Sequence, residues 1–395
     1  MLDVIREFAA GEAVAHAETE DLARDHAAFF ADLAEEAERE QGLVAQDAWY
    51  RRLQAEQDNV RAALAWATAD GDAVLALRIS AALWLYWRRH GDYTEARQWL
   101  DAALALPTSN GEAPIARRRK GDALEAERAL RRKALWGDAW ISYYQGDYAH
   151  VRHLGAELLD SARQDDDSVG VRNGLTIQAL LAMARQDFDD AVGLLEEALR
   201  ICRQSCPPWL LATSLLVLGQ ATLHGQDLAR PRQLLNEALS IYSGLGDRLF
   251  VARTRGYLGY VFMLSGRLDK AWRHIAASLR GFRDLDERFG IAEQLQAMAA
   301  LRASQKEDER AAELAGAAEA VWASMSAQAL ASDRPIANRY LDLARRRMGS
   351  AAWRSAWRRG QALDGHAATA LALRGGFGIE ADGARHPAIR NAPAG

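Results

Sequence analysis

The sequence predicts an all-α protein, organised as a right-handed solenoid of about six helical hairpins. Short turns at Gln186, Gln226 and Gly266 follow one another at steps of 40 residues, and the same run of small and large apolar residues follows each turn. Repeats of this length, with helical patterning on both sides of a turn, form stacked helical hairpins. The composition agrees, because the 395 residues contain only 8 prolines and 30 glycines and are rich in alanine and leucine, which favour helix.

The same pattern places further turns near Gly91, Gly146 and Lys306, so that the array runs from residue 71 to residue 330. The step between the first two turns is 15 residues longer than the others, which predicts an insertion at 108–132. A basic cluster at 117–120 lies in this insertion among several carboxylates, which is typical of a solvated loop and helix start. Leu-Gly pairs at 218–219 and 258–259 predict helices that approach their partners closely at the glycines.

The segments on either side of the array also read as helical. We expect a short amphipathic segment at 1–12, followed by a helical linker at 13–70 with helices over 21–38 and 47–69. Beyond residue 330, helices near 336–348, 351–363 and 365–373 predict a cap over 331–373, which would cover the open core face of the last hairpin. From residue 374 to residue 395 the sequence loses all periodicity and predicts a disordered tail.

Composition excludes several classes of protein. The formal net charge is −5, which gives no general case for binding nucleic acid. The sequence has no apolar run of about 18 residues and does not begin as a signal peptide does, so we expect a cytoplasmic protein. The cysteines, Cys202 and Cys206, have no second pair nearby, which favours buried thiols in a reducing compartment over a metal site or a disulfide.

Four stretches carry a resemblance to a known family: MLDVIREFA at 1–9, EQDNVRAAL at 56–64, LGDR at 245–248 and AWRRGQAL at 356–363. The array resembles tetratricopeptide repeats of the long, roughly 40-residue variety. The whole is similar to the C-terminal region of bacterial signal-transduction ATPase regulators of the MalT/AfsR-like and LuxR-type group. The 40-residue step also fits HEAT repeats, and close helix contacts at Gly219 and Gly259 would favour the tetratricopeptide class.

In such regulators an ATPase core and a winged helix precede the repeats, and residues 1–12 resemble the last piece of that winged helix. This sequence contains no G-x-x-x-x-G-K-[ST] phosphate-binding motif, so we expect it neither to bind nor to hydrolyse ATP by itself. We expect no helix-turn-helix after the repeats, because 374–395 is short and poor in apolar residues. We expect no enzymatic activity and no cofactor, and the sequence leaves open whether the chain is the sensor part of a larger regulator or a stand-alone relative.

The first helices of the hairpins should line a concave groove, and an aromatic cluster between arginines suits an extended peptide or a small amphipathic ligand. The alternative is that these aromatic rings form core between hairpins. The candidate binding residues are Arg88, Arg89, Trp136, Trp140, Tyr143, Tyr144, Asn173, Thr176, Leu180, Met183, Gln220, His224, Arg253 and Tyr260.

Two polar features need separate interpretations. Asp138 stands where the later hairpins have Leu218 and Leu258, and a buried carboxylate needs a partner, for which we expect an arginine rather than a ligand. His150 and His153 are three residues apart on a helix, but the sequence near them offers no further metal ligand at matching spacing. They therefore predict solvated or capping side chains.

Three functions remain open. The first is a non-enzymatic sensor module of a bacterial regulator, which binds a protein, peptide or small-molecule effector in the groove and passes the event to an attached or separate ATPase or winged-helix partner. The second is a scaffold that docks a partner peptide and senses nothing. The third is nucleic-acid binding through 117–120 and 131–133. An upstream ATPase or winged-helix reading frame would favour the first.

Overall fold

The computed structural model describes residues 19–40, 46–107 and 117–374, and within these ranges the chain is helical without β-strands. Eighteen helices occur in this part of the chain. They are α1 (Thr19–Arg39), α2 (Gln46–Ala55), α3 (Gln57–Asp70), α4 (Ala73–His90), α5 (Tyr93–Ala105), α6 (Arg117–Gln145), α7 (Tyr148–Gln164), α8 (Ser168–Ala184), α9 (Phe188–Ser205), α10 (Pro208–Thr222), α11 (Ala229–Leu245), α12 (Arg248–Leu264), α13 (Leu268–Asp284), α14 (Arg288–Ser304), α15 (Asp308–Ala323), α16 (Arg334–Met348), α17 (Ser350–Gln361) and α18 (Gly365–Leu373).

Helices α4 to α15 form six consecutive pairs, each joined by a short turn and packed side by side. The six turns lie where the 40-residue period predicts them. Five contain a residue in the left-handed region, and the turn around Gln226 separates α10 from α11. The five residues are Gly91, Gly146, Gln186, Gly266 and Lys306.

Local sequence explains the turns. At Gly146-Asp147, the glycine ends α6 with a φ of 80°, a conformation that costs glycine nothing. The Asp147 side chain then accepts a hydrogen bond from His150 N and caps α7. Asp187 caps α9 in the same way through Asp190 N. Each such cap is worth about 0.5–2 kcal/mol, so Asp147 and Asp187 help to fix where α7 and α9 begin.

Paired helices approach most closely at glycines on the first helix. A Cβ atom at Gly219 would lie 2.8 Å from Leu235 Cδ2, and one at Gly259 would lie 2.5 Å from Ile275 Cγ1. Leu235 and Ile275 are fully buried on the partner helices α11 and α13. These contacts agree with the small-residue positions expected from the Leu-Gly pairs.

Replacing Gly259 with leucine should therefore push α12 away from α13. We expect a loss of about 1–3 kcal/mol in unfolding free energy from overpacking, measured by chemical denaturation. Gly193→Leu is the matched control, because a Cβ atom at Gly193 in α9 meets nothing within 4 Å. Equal stability of the two variants would show that Gly259 is not a packing contact.

The start of the sixth pair and the turn before it meet the first and second pairs, so the array closes on itself. The Arg89 guanidinium donates two hydrogen bonds to Leu285 O, at 3.2 and 3.0 Å. Phe289, at the start of α14, packs edge-on against Tyr144 with ring centroids 4.6 Å apart. Contacts across nearly 200 residues thus close what the sequence predicts as an open groove.

The flanking helices differ in part from prediction. The helix expected over 47–69 is interrupted at Glu56, because α2 packs beside α1 whereas α3 packs on both α1 and α4. Helices α16, α17 and α18 match the three predicted cap helices and pack on α14 and α15. No helix in the described ranges is long and apolar enough to cross a membrane.

The expected insertion at 108–132 is mostly helical where the structure describes it. Residues 117–132 belong to α6, which runs without interruption for 29 residues to Gln145. The segments predicted at 1–12 and in the tail beyond residue 374 lie outside the described residues, as do 108–116.

A buried polar cavity as the candidate binding site

The interior contains a cavity of about 40 Å³. This is room for a few water molecules and far below the roughly 300–1,000 Å³ of a typical ligand site. Aromatic side chains make up half of its lining residues, and two arginines are among the others. The lining residues are Trp84, Arg88, Trp136, Trp140, Tyr144, Trp209, Thr213, Leu216, Val217, Gln220, Phe250, Arg253, Tyr257 and Leu330.

Arg88 and Arg253 are the two cations in this wall, and their side chains are only 2% and 6% exposed. Arg88 Nε donates to the Tyr144 hydroxyl at 3.0 Å, and Arg253 Nη1 donates to the Glu293 carboxylate at 3.1 Å. Among the described residues, both Nη atoms of Arg88 and the Nε and Nη2 atoms of Arg253 have no hydrogen-bond acceptor. Buried charged donors without acceptors are costly, so these groups call for an explanation.

Two carboxylates accompany the arginines. Glu287 Oε1 is 4.0 Å from Arg88 Nη2 and 3.7 Å from Arg253 Nη2, which is too long for hydrogen bonds. Glu287 cannot move closer without cost, because its other oxygen caps α14 by accepting from Gly290 N. Burial raises the pKa of Glu293 to about 7, against the opposing effect of Arg253.

Residues 325–333, which we call the crossing segment, connect α15 to α16. Residues 330–333 are buried in the interior, whereas 327–329 are half-buried and Ser326 is exposed. Gln328 N donates to Tyr144 O at 3.1 Å at the end of α6. At the other end of the segment, the Gln220 amide donates to Ser332 and Asp333. Leu330 is 5% exposed and forms one wall of the cavity. The crossing segment thus occupies the space predicted to be the groove.

The predicted aromatic recognition patch is not an open surface. Trp136, Tyr143 and Tyr144 are 2–5% exposed, and Trp140 is half-buried. They are packed because α4 and α8 contact Trp136, whereas α14 and the crossing segment contact Tyr144. The local sequence does not reveal these contacts. Three of these rings, those of Trp136, Trp140 and Tyr144, line the cavity beside Arg88 and Arg253.

Of the other predicted site residues, Arg88, Gln220 and Arg253 line the cavity, and the structure separates the rest from it. The Arg89 guanidinium donates to Leu285 O. Thr176, Leu180, Met183 and Tyr260 are buried in the core. Asn173 is half-buried and accepts from Arg172. His224 stacks on Phe188 at 3.6 Å, and burial lowers its pKa to about 4.

About half of the residues that line the interior were not among the candidates from the sequence. Trp84, Trp209 and Tyr257 lie on first helices and have the same helical spacing signal as the residues that were selected. Glu287, Glu293 and Asp333 gave no signal, because an acidic residue on a helix normally faces solvent.

Asp138 has a different partner from the arginine that was expected. It is fully buried, and its carboxylate accepts from Ser142 at 3.0 Å and pairs with His150 Nε2 at 2.9 Å. His150 also lies 3.3 Å from Asp101. The carboxylates that the sequence near His150 lacks therefore come from α5 and α6, and His150 itself meets their need for a partner.

This arrangement predicts a pH dependence. The hydrogen bond to Asp138 is the main cause that raises the pKa of His150 above its usual 6.5. Its stabilising effect is therefore complete below pH 6.5 and is lost as the pH rises through the raised value. We expect His150→Gln to lose more unfolding free energy at pH 6 than at pH 9 in denaturant titrations. His153→Gln, on the exposed face of the same helix, should show no such difference.

The basic residues at 131–133 are already paired. Arg131 contacts Glu157, Arg132 contacts Asp165 and Asp167, and Lys133 contacts Glu38. Cys202 is buried as expected, whereas Cys206 is half-buried at the end of α9.

No family model matches the sequence. Three curated proteins align with it at 25% identity over 315 residues, which cover 77% of this chain. Each is described as a "Putative HTH-type transcriptional regulator", one from Mycobacterium bovis and two from strains of Mycobacterium tuberculosis. The chain spans only about a third of their length, since the alignment covers 34% of each relative.

The crystal structure of BtubC (BKLC) from P. vanneervenii shares 16% sequence identity and superposes with a TM-score of 0.40. The superposition covers 67% of this chain and 92% of that chain. A TM-score of this size does not establish a common fold.

Proposed function

We propose that this chain is a non-enzymatic sensor module of a bacterial transcriptional regulator, built as a tetratricopeptide-like solenoid, and that its interior is the binding site. The proposal of an interior binding site rests on one observation. Arg88 and Arg253 direct buried hydrogen-bond donors without acceptors at a cavity walled by aromatic rings. Such a wall provides contact area and fixed donors for a ligand that brings acceptors.

The size of the cavity defines how binding must occur. A ligand of ordinary size enters only if part of the wall moves. Every lining residue lies on a helix except Leu330, which lies on the crossing segment. Binding would therefore displace the crossing segment, and α16 follows directly after it. That connection gives ligand binding a route to the cap and to whatever the chain is attached to.

The alternative of a scaffold that docks a partner peptide has its own support, because the crossing segment already lies in the interior in the way a peptide would. Direct nucleic-acid binding receives less support. The basic side chains at 131–133 each form an ion pair with a carboxylate of the chain, which leaves fewer free cations for phosphates.

Purification from native lysate, followed by mass spectrometry of released compounds and peptides, tests the proposed function. We expect a bound species in the parent that is absent from Val217→Phe, which fills the cavity. Val151→Phe is the matched control, because Val151 is also fully buried but lies on α7 away from the cavity. Identical released species in all three preparations would contradict an interior site.

A further inference from the structure

The crossing segment is held in the interior by contacts of the kind that recognise a bound peptide. Its Gln328 N–H donates to Tyr144 O at 3.1 Å, and the Gln328 side-chain amide donates to Gln145 O at 3.2 Å. Both carbonyls belong to the last turn of α6, where helices leave acceptors without intrahelical partners. The beginning of the segment is therefore recognised through its main chain and one amide.

The end of the segment is recognised through its acidic group. Gln220 Nε2 donates to Ser332 Oγ at 2.8 Å and to Asp333 Oδ1 at 3.0 Å. The Tyr257 hydroxyl donates to Asp333 Oδ2 at 3.2 Å. All of these groups are buried. Between the two ends, Leu330 lines the cavity. The rest of the chain therefore contacts an amide, an apolar side chain and a carboxylate in order along the segment.

The crossing segment is nevertheless an imperfect occupant. Leu330 is the side chain that it presents to the cavity, and leucine offers no acceptor to Arg88 or Arg253. An occupant with an acceptor at this place would satisfy buried charged donors that the segment leaves unpaired. A ligand that places an acceptor where Leu330 lies would therefore pair with these donors better than the crossing segment does. The unpaired arginine donors define the chemical class of that ligand.

We propose that the interior binds an extended acidic peptide of a partner protein, recognised as the crossing segment is, and that the crossing segment is its intramolecular competitor. The proposal rests on the proposed function, because it places the ligand in the same interior. The partner peptide replaces Leu330 with a side chain whose carboxylate reaches Arg88 and Arg253, and it repeats the contacts of Asp333 with Gln220 and Tyr257.

Competition within one chain sets the expected affinities. A tethered segment acts at an effective concentration in the millimolar range or above. A free peptide that makes the same contacts therefore binds the parent weakly and gains affinity when the tethered copy is weakened. This difference between parent and weakened variant is what separates specific competition from non-specific adsorption.

The experiment uses fluorescein-labelled peptides and the full chain, with fluorescence anisotropy as the readout. The probes are the sequence of 325–333, MSAQALASD, the same peptide with Leu330→Glu, and a scrambled version. The proteins are the parent and the variant Leu330→Ala, Asp333→Asn, whose helicity is checked by circular dichroism. We expect the variant to bind the native probe about tenfold more tightly than the parent does. The Leu330→Glu probe should bind more tightly still, and the scrambled probe should not bind.

Equal binding of native and scrambled probes, or no binding by a folded variant, overturns the proposal. A second pair of variants decides the matter if the double variant fails to fold. A Cβ atom at Gly146 would lie within 1.3 Å of Gln328 Nε2, whereas one at Gly266 meets nothing, and both glycines have a positive φ. Gly146→Ala should therefore increase amide hydrogen exchange in 326–333, and Gly266→Ala should not. Equal exchange in the two variants shows that the segment is not displaceable there and overturns the proposal.

Failure of this inference is distinguishable from failure of the proposed function. A compound released from the parent but not from Val217→Phe, together with no peptide binding, leaves the interior site in place and removes the peptide. Peptide binding that Val217→Phe does not weaken removes the interior site itself.

Discussion

Replacing Arg253 with leucine is expected to lower the unfolding free energy by about 3–5 kcal/mol at pH 8, because it leaves buried carboxylates without their cation. Arg253 is 3.0 Å from Glu293 and 3.7 Å from Glu287, and both acids are at most 8% exposed. Chemical denaturation measures the loss. The same change at Arg78, whose partners Asp32 and Glu35 are partly exposed, should cost less than about 1 kcal/mol.

The loss at Arg253 should also depend on pH. The pKa of Glu293 is raised to about 7 by burial, so this group favours the folded state below its unfolded value near 4.5 and becomes unfavourable as the pH rises toward 7. At pH 5 a protonated Glu293 needs no cation, and the destabilisation by Arg253→Leu should be smaller than at pH 8. The same loss at both pH values would contradict the assignment of Glu293 as the residue that Arg253 compensates.

A buried pair of this kind is poor evidence of selection for stability, because apolar residues of similar volume are often as stable. The unpaired donors of Arg88 and Arg253 strengthen the point, since they subtract from stability. Groups with strongly perturbed pKa values, such as Glu293 beside Arg253, cluster at functional sites. The energetic cost of the interior and the proposal of a binding site there are therefore consistent.

The sequence predicts the hairpins well because their determinants are local. Gly146 ends one helix and Asp147 starts the next, and both effects act within a few residues of the turn. The glycines at 219 and 259 are also informative, because a small residue at a fixed place in a repeat implies a close neighbour. Helix positions, turn positions and the helix contacts at these glycines follow from such short-range rules.

Closure of the interior has no local determinant. Arg89 meets Leu285 O, and Gln328 meets Tyr144 O, across about 190 residues of chain. Helical periodicity shows that Tyr144 and Trp136 face inward, but it does not show what lies opposite them. Whether an inner face lines an open groove or a packed core depends on the rotation accumulated over six hairpins. A small error in the predicted rotation of each hairpin is enough to change that outcome.

Asp138 illustrates a related limit. Its departure from the leucine of later hairpins showed correctly that a buried carboxylate needs a partner. The identity of that partner depends on which neighbour comes nearest in space, and His150 on α7 is nearer than any arginine. A sequence pattern therefore located the anomaly, whereas only the packing of α5, α6 and α7 resolved it.

The second large effect on stability is expected where the cap helix α17 contacts α15. Helices α15 and α17 touch backbone to backbone at two glycines, each of which faces a carbonyl of the other helix. A Cβ atom at Gly316 would lie 2.0 Å from Trp357 O, and one at Gly360 would lie 1.8 Å from Glu313 O. Backbone atoms cannot rotate away as a flexible side chain can. Gly360 belongs to the AWRRGQAL stretch of the sequence, so this contact gives that stretch a structural reason.

Gly316→Leu should therefore separate α17 from α15, with a loss of unfolding free energy at or above the upper end of the roughly 1–3 kcal/mol typical of overpacking. The crossing segment lies between α15 and α16, so loosening the cap should also release it. We expect faster amide hydrogen exchange in α17 and in 326–333, while α8 and α9 stay protected. Gly244→Leu in α11 is the control, because its Cβ atom meets nothing within 4 Å. Faster exchange in α17 alone would show that the cap does not hold the crossing segment in the interior.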